Sequence, residues 1–153
     1  MDIPQLLIQC VISVGAAFIA AWFANIRFRN ERWWERKANA YTSLIEALHN
    51  MKWPSAEHID AEIEHRELNY EHSGKLWAEF NEARRNTWRI AETSSFLISQ
   101  DVLTAVQKME HKLSSARNAR TWFEHLDDQW KAIDDCIVEI KIIGKKELKI
   151  AVK

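Results

Sequence analysis

Residues 6–26 read LLIQCVISVGAAFIAAWFANI, a run of 21 residues without a charge. As a helix rising about 1.5 Å per residue it would be about 31 Å long, which matches a hydrocarbon core of about 30 Å. The expected element is a single membrane-spanning helix. Residues 1–5, MDIPQ, carry no base, and the run is longer than the apolar core of a cleaved signal peptide. The bases come after it, at Arg27, Arg29, Arg32, Arg36 and Lys37. That asymmetry sets the C-terminal side in the cytoplasm and the N-terminus outside the inner (cell) membrane. Trp22, Trp33 and Trp34 suit the inner interface. The competing reading is a core helix of a water-soluble protein.

The run is uneven around its circumference. Steps of four and three give Gln5, Gln9, Ser13, Ala16, Ala20, Phe23, Arg27 and Asn30 on one helix face. Leu7, Val11, Val14, Phe18 and Trp22 occupy the far side and suit lipid. Polar groups in hydrocarbon seek partners, and small residues let backbones approach, so the stripe predicts a homo-oligomer within the lipid bilayer. Two readings of it stay open. In one, Ala and Ser are contacts of a packed dimer or bundle. In the other, Gln5, Gln9, Ser13, Ala16 and Ala20 line a pore, Phe23 with Ala20 forms a constriction that gates by dewetting, and a ring of Arg27 at the inner mouth favours anions.

The chain of 153 residues has a net charge of −1, which argues neither for nor against nucleic acid. Three Gly and two Pro leave few helix breakers, so residues 30–153 are expected to form one all-α cytoplasmic domain behind the anchor at 1–29. Most of the eight Trp are expected in the core or at interfaces. Cys10 and Cys136 form neither a disulfide framework nor a CxxC site and fit a reducing compartment.

The first soluble helix is predicted over residues 30–53, with Trp34, Ala38, Tyr41, Ile45 and Leu48 on one face, stopped by Pro54. It joins the anchor without a breaker. Ser55 is expected to cap an acidic helix to about residue 72 with a thin face of Ile59, Ile63, Leu68 and Tyr70. Ser73-Gly74 offers a break. Helices follow over about 75–98, 101–115 (N-cap Ser99) and 121–143, and Gly144 has the character of a C′ residue. The sum is an antiparallel bundle of about four helices.

Gly-rich phosphate loops, GxSxG elbows and HExxH are absent from the sequence, so no catalytic residue and no cofactor is assigned. Glu46-x-x-His49 and Glu62-x-x-His65 have the spacing of bundle di-metal sites, and His58, His65 and His72 recur every seven residues. Without two further inward Glu, these read as surface residues or a pH-sensitive face, and no metal is assigned. Two basic clusters combine Arg, Asn and Trp: Arg84, Arg85, Asn86, Trp88 and Arg89, then Arg117, Asn118, Arg120 and Trp122. Arg forks match phosphates, and aromatic faces stack bases. Arg84, Arg85, Trp88, Arg89, Arg117 and Arg120 are therefore the candidate ligand-binding residues. The alternative is a solvated face with Glu82 and Glu124 as helical partners.

The apolar anchor, the junction RFRNERWWERKANAY (27–41), the helical domain and the tail KIIGKKELKI (141–150) together resemble small single-pass bacterial membrane proteins, including the channel-forming component of Hailong-type antiphage systems. The likeness is one of layout over the whole chain, and no family residue carries over. It implies an effector of antiviral defence whose channel answers to a nucleotide or oligonucleotide made by a cognate signalling enzyme. Beside that stand a membrane-anchored scaffold or protein-binding module without a pore, and a tethered metalloenzyme using the Glu-x-x-His pairs.

Overall fold

The computed structural model describes residues 3–149, with side chains from residue 15 onward. Four helices follow one another: α1 (Ile3–Ile63), α2 (Tyr70–Thr93), α3 (Gln100–Ala116) and α4 (Trp122–Glu147). No strand occurs among the described residues, in keeping with the all-α expectation. Contacts divide the chain into two units, Met1–Arg36 and Lys37–Lys153.

In the first unit the large apolar side chains Phe18, Ile19, Trp22, Phe23, Phe28, Trp33 and Trp34 are all exposed. Of the uncharged run, side chains are described only for residues 15–26, and bases begin at Arg27. Among the described residues no helix is long and apolar enough to cross a membrane, so the transmembrane reading of residues 6–26 gains no support there. Gln5, Gln9 and Ser13 lie outside the described side chains.

The second unit is a helical bundle. Apolar residues at helical spacing face inward: Leu44, Leu48 and Met51 on α1, Phe80 and Ala91 on α2, Val102, Val106 and Met109 on α3, Ile133, Ile137 and Ile140 on α4. Caps fix where helices start. The Asn69 side chain accepts from the Glu71 N–H at 3.0 Å. Thr121 Oγ1 accepts from the Glu124 N–H at 3.1 Å, while Glu124 accepts from the Arg120 N–H at 3.0 Å. Ion pairs report the direction of packing. Lys37 meets Glu147 (2.7 Å) and Lys52 meets Asp134 (2.6 Å), so α4 runs antiparallel to α1. Lys108–Glu139 and Lys112–Asp135 make the same statement for α3 and α4.

Several boundaries differ from expectation. Pro54 does not stop α1 but lies inside it, fully buried. Its missing N–H costs one helical hydrogen bond, yet Leu48 and Met51 before it and Ser55, His58 and Ala61 after it are all buried on one helix, so packing outweighs the local defect. Ser55 is accordingly no cap, and its buried Oγ has no partner among the described residues. Ile63 and Tyr70, expected on an apolar face, are exposed, and His58, expected at the surface, is buried. The helix ends instead at His65, which takes φ 52°. Arg66 N–H donates to the Ala61 carbonyl (2.8 Å) and His65 N–H to that of Glu62 (3.2 Å), a Schellman closure with His where Gly is usual.

Ser73 and Gly74 lie within α2. Ser99 holds the N-cap position of α3 as expected, but makes no capping hydrogen bond. Gly144 is interior to α4 rather than beyond its end. A Cβ there would stand 3.0 Å from Tyr41 Cδ1, so the glycine admits a ring rather than a turn. None of the eight Trp is fully buried; five are exposed. The polar indole end and the size of the ring favour the rim of so small a bundle.

Candidate functional site

Helical spacing builds a cleft of about 280 Å³ at one end of the bundle. Trp77, Phe80, Asn81 and Arg84 come from α2, at the i, i+3, i+4 and i+7 positions of one face. Leu113 and Arg117 come from the end of α3, and Trp122, His125 and Gln129 from the start of α4. The two basic clusters, distant in sequence, therefore meet: Arg84 from the first faces the same space as Arg117 and Trp122 from the second.

The lining is aromatic. Trp77 and Trp122 pack edge to face with centroids 5.9 Å apart, and His125 stacks on Trp122 at 5.3 Å with 25° between planes. His125 Nδ1 lies 2.8 Å from the Ala116 carbonyl. A carbonyl only accepts, so Nδ1 is the donor of this bond. His58 reaches the back of Trp77 (4.7 Å) and is fixed by the Pro54 carbonyl at 2.7 Å and the Ser73 hydroxyl at 3.1 Å.

The polar groups are unequally committed. Arg84 donates Nε at 2.9 Å and 3.0 Å, and also Nη2, to the Glu110 carboxylate. That fork pushes the Arg84 pKa upward, and it crosses between helices instead of staying within the i,i+4 spacing expected of a solvated face. Arg117 is exposed, and its side chain has no ion-pair or hydrogen-bond partner among the described residues. Gln129 is 8 % exposed, and its Oε1 is buried without a partner among the described residues. An unmet buried amide oxygen costs about 1–3 kcal/mol, which a ligand's donor could relieve after a small side-chain rotation.

Two shallower clefts continue along α2. One, about 470 Å³, shares Asn81 and Arg84 with the first and adds Arg85, Trp88, Arg89, Glu92 and Glu110. The other, about 660 Å³, shares Arg85 and Arg89 and adds Trp53, Asn50, Asn86, Glu79 and Glu82. Arg89 donates to Asn86 at 2.7 Å. Positive charge falls along this series as Glu residues join the walls. Arg120 stands apart, entering the described hydrogen bonds only through its backbone N–H.

Of the residues assigned to the pore, Ala16, Ala20, Phe23 and Arg27 are exposed. Phe23 and Arg27 line a shallow depression with Ile26, Asn30, Glu31 and Trp34, and Arg27 Nε donates to Glu31 at 2.9 Å. Glu46, His49, Glu62 and His65 are exposed, and no group of three metal-ligating side chains occurs among the described residues. Trp77, His125 and Gln129 were absent from the sequence-based site. The one signal for them was Gln129, a polar residue in register with the apolar positions Leu126, Ile133 and Ile137. No family model, curated protein or solved structure matches this chain.

Proposed function

We propose that the chain is a membrane-anchored, self-associating effector. Its helical bundle binds a nucleotide or short oligonucleotide, and its N-terminal helix assembles with copies of itself around an ion-conducting path. The observation that carries the ligand half is the convergence of Arg84, Arg117, Trp77 and Trp122 on one cleft. Aromatic faces accept bases, and a guanidinium without a partner accepts phosphate. The membrane half is supported by the exposed Phe18, Ile19, Trp22 and Phe23 of the described unit, which need lipid or another copy as cover. Ligand gating requires that the ligand bind one state of the oligomer better than the other. In the setting implied by the resemblance, a cognate enzyme of antiphage defence would supply the signal.

The test uses full-length protein in detergent, titrated with a nucleoside triphosphate and with a short single-stranded oligonucleotide while tryptophan emission is followed. Trp122→Ala should weaken binding by about tenfold, the scale of about 1–3 kcal/mol for one stacked base. Absence of binding by either probe overturns the ligand half. Planar-bilayer conductance tests the rest: Phe23→Ala should leak, and Arg27→Glu should shift ion preference, by less than for a bare ring because Glu31 already pairs with Arg27. Binding without conductance leaves an anchored binding module, a reading that the Arg27–Glu31 pair also fits.

A further inference from the structure

The bundle has a second surface, at the end opposite the cleft, that the binding reading does not use. Lys37, where the polypeptide enters this unit, pairs with Glu147 near the end of α4. The loop between α2 and α3 arrives at the same end, since Ser99 lies close enough to act on both Tyr41 and Glu147. In that loop Leu97 and Ile98 pack into the core while Phe96 points outward, 69 % exposed. On the outer stripe of α4, Val138 and Ile142 are exposed. Lys141, Lys145, Lys146 and Lys149 surround them and are exposed too, without an ion-pair or hydrogen-bond partner from any side chain of the described residues. Glu147 is already neutralised by Lys37, which leaves Glu92 and Asp101 as the exposed acids on the neighbouring helix ends.

Lysines flanking a helix C-terminus gain from its dipole, and that accounts for Lys145 and Lys146. It does not account for an outward phenylalanine at a loop tip or for apolar residues within the basic stripe. Basic side chains around protruding apolar ones are what an anionic bilayer surface recognises: the charges meet headgroups while the apolar groups enter the interface. We infer that this end of the bundle, through Phe96, Ile142 and the lysines of α4, docks on anionic phospholipid headgroups. The inference rests on the anchored reading, because tethering at Lys37 supplies the high local concentration that a patch this small requires. Docking would hold the bundle against the surface and leave the cleft at its far end open to ligand.

The test places a nitroxide on Phe96→Cys in a Cys10→Ser full-length chain held in nanodiscs. Oxygen and a water-soluble nickel chelate report whether the label lies in an apolar or an aqueous layer. With phosphatidylglycerol in the disc, the label should favour oxygen. With phosphatidylcholine alone, with high salt, or with Lys141, Lys145 and Lys146 changed together to Gln, it should return to water. A label equally aqueous in both lipids overturns the docking, provided that a label on Phe18→Cys, on the lipid-suited side of the anchor, reads as buried in hydrocarbon. An aqueous label at Phe18 overturns the anchor itself, and the docking with it.

Discussion

Gly144→Ala sets two effects against each other at a site where both are visible. Inside a helix Ala is favoured over Gly by about 1 kcal/mol. Here the new Cβ would stand 3.0 Å from Tyr41 Cδ1 and 3.3 Å from Cε1. The ring has little room to retreat. It is 3 % exposed, and its hydroxyl donates to Glu147 at 2.8 Å, while Glu147 is held by Lys37 at 2.7 Å. Burial, with Glu147 adding to it, pushes the phenol pKa well upward, so the proton that makes this bond stays in place at any working pH. Overpacking of a fixed core costs about 1–3 kcal/mol. Gly144→Ala should therefore destabilise the bundle by about 1 kcal/mol, the difference of the two. In a Tyr41→Leu background the ring is gone, and the same substitution should stabilise by about 1 kcal/mol. Urea unfolding of the four proteins of this cycle, followed by tryptophan emission in mild detergent, measures the coupling. Stabilisation by Gly144→Ala in the native background refutes the packing argument. Equal destabilisation in both backgrounds refutes it as well, and would restore a backbone role for this glycine.

Three other perturbations have defined signs. Ser55→Ala removes a buried hydroxyl without a partner and should be neutral or stabilising by up to about 1 kcal/mol, where loss of a helix cap would cost about as much; the same unfolding curves decide. Burial raises the Glu147 pKa, but the bonds from Lys37 and Tyr41 outweigh it and hold the carboxyl below its ordinary 4.5. A carboxylate depressed in this way stabilises the fold above its unfolded pKa and loses that contribution as pH falls through the folded value. The stability gap between the native chain and Glu147→Gln should therefore close on acidification below about pH 4.5 and stay constant above it; a constant gap down to about pH 3 would contradict the assignment. Cys136 is buried, and burial, with Glu139 adding to it, pushes its thiol up to about 12. Iodoacetamide should leave it unlabelled in the native protein at neutral pH and label it in urea, as read by peptide mass mapping.

The inward faces of α3 and α4 were legible because their signal is periodic. Val102, Val106, Met109 and Leu113 fall at helical spacing and are buried, as are Leu126, Ile133, Ile137 and Ile140. Punctuation was less legible. Pro54 and Gly144 have strong local preferences, but each sits where contacts distant in sequence decide the outcome, and residues 55–70 carry an apolar pattern too weak to show which face turns inward. The cleft was half legible. Arg84, Arg117 and Trp122 stood out by composition, whereas Trp77 fell under the general expectation of a core or interface tryptophan and Gln129 drew no assignment. Only the packing of α2 against the α3–α4 turn separates a core tryptophan from one that walls a cleft. That Glu110 would take the Arg84 fork is a matter of helix register, which spacing within α2 cannot report.

The link between Tyr41 and Glu147 joins residues 106 positions apart. At synthesis rates of about 5–20 residues per second, the apolar face of α1 waits about 5–20 s after leaving the ribosome before the last turns of α4 exist to cover it. Throughout that interval Leu44, Leu48 and Met51 are open to any passing apolar surface. A truncation just before α4 should therefore be degraded instead of accumulating, as read by its level in the cell against that of the full chain.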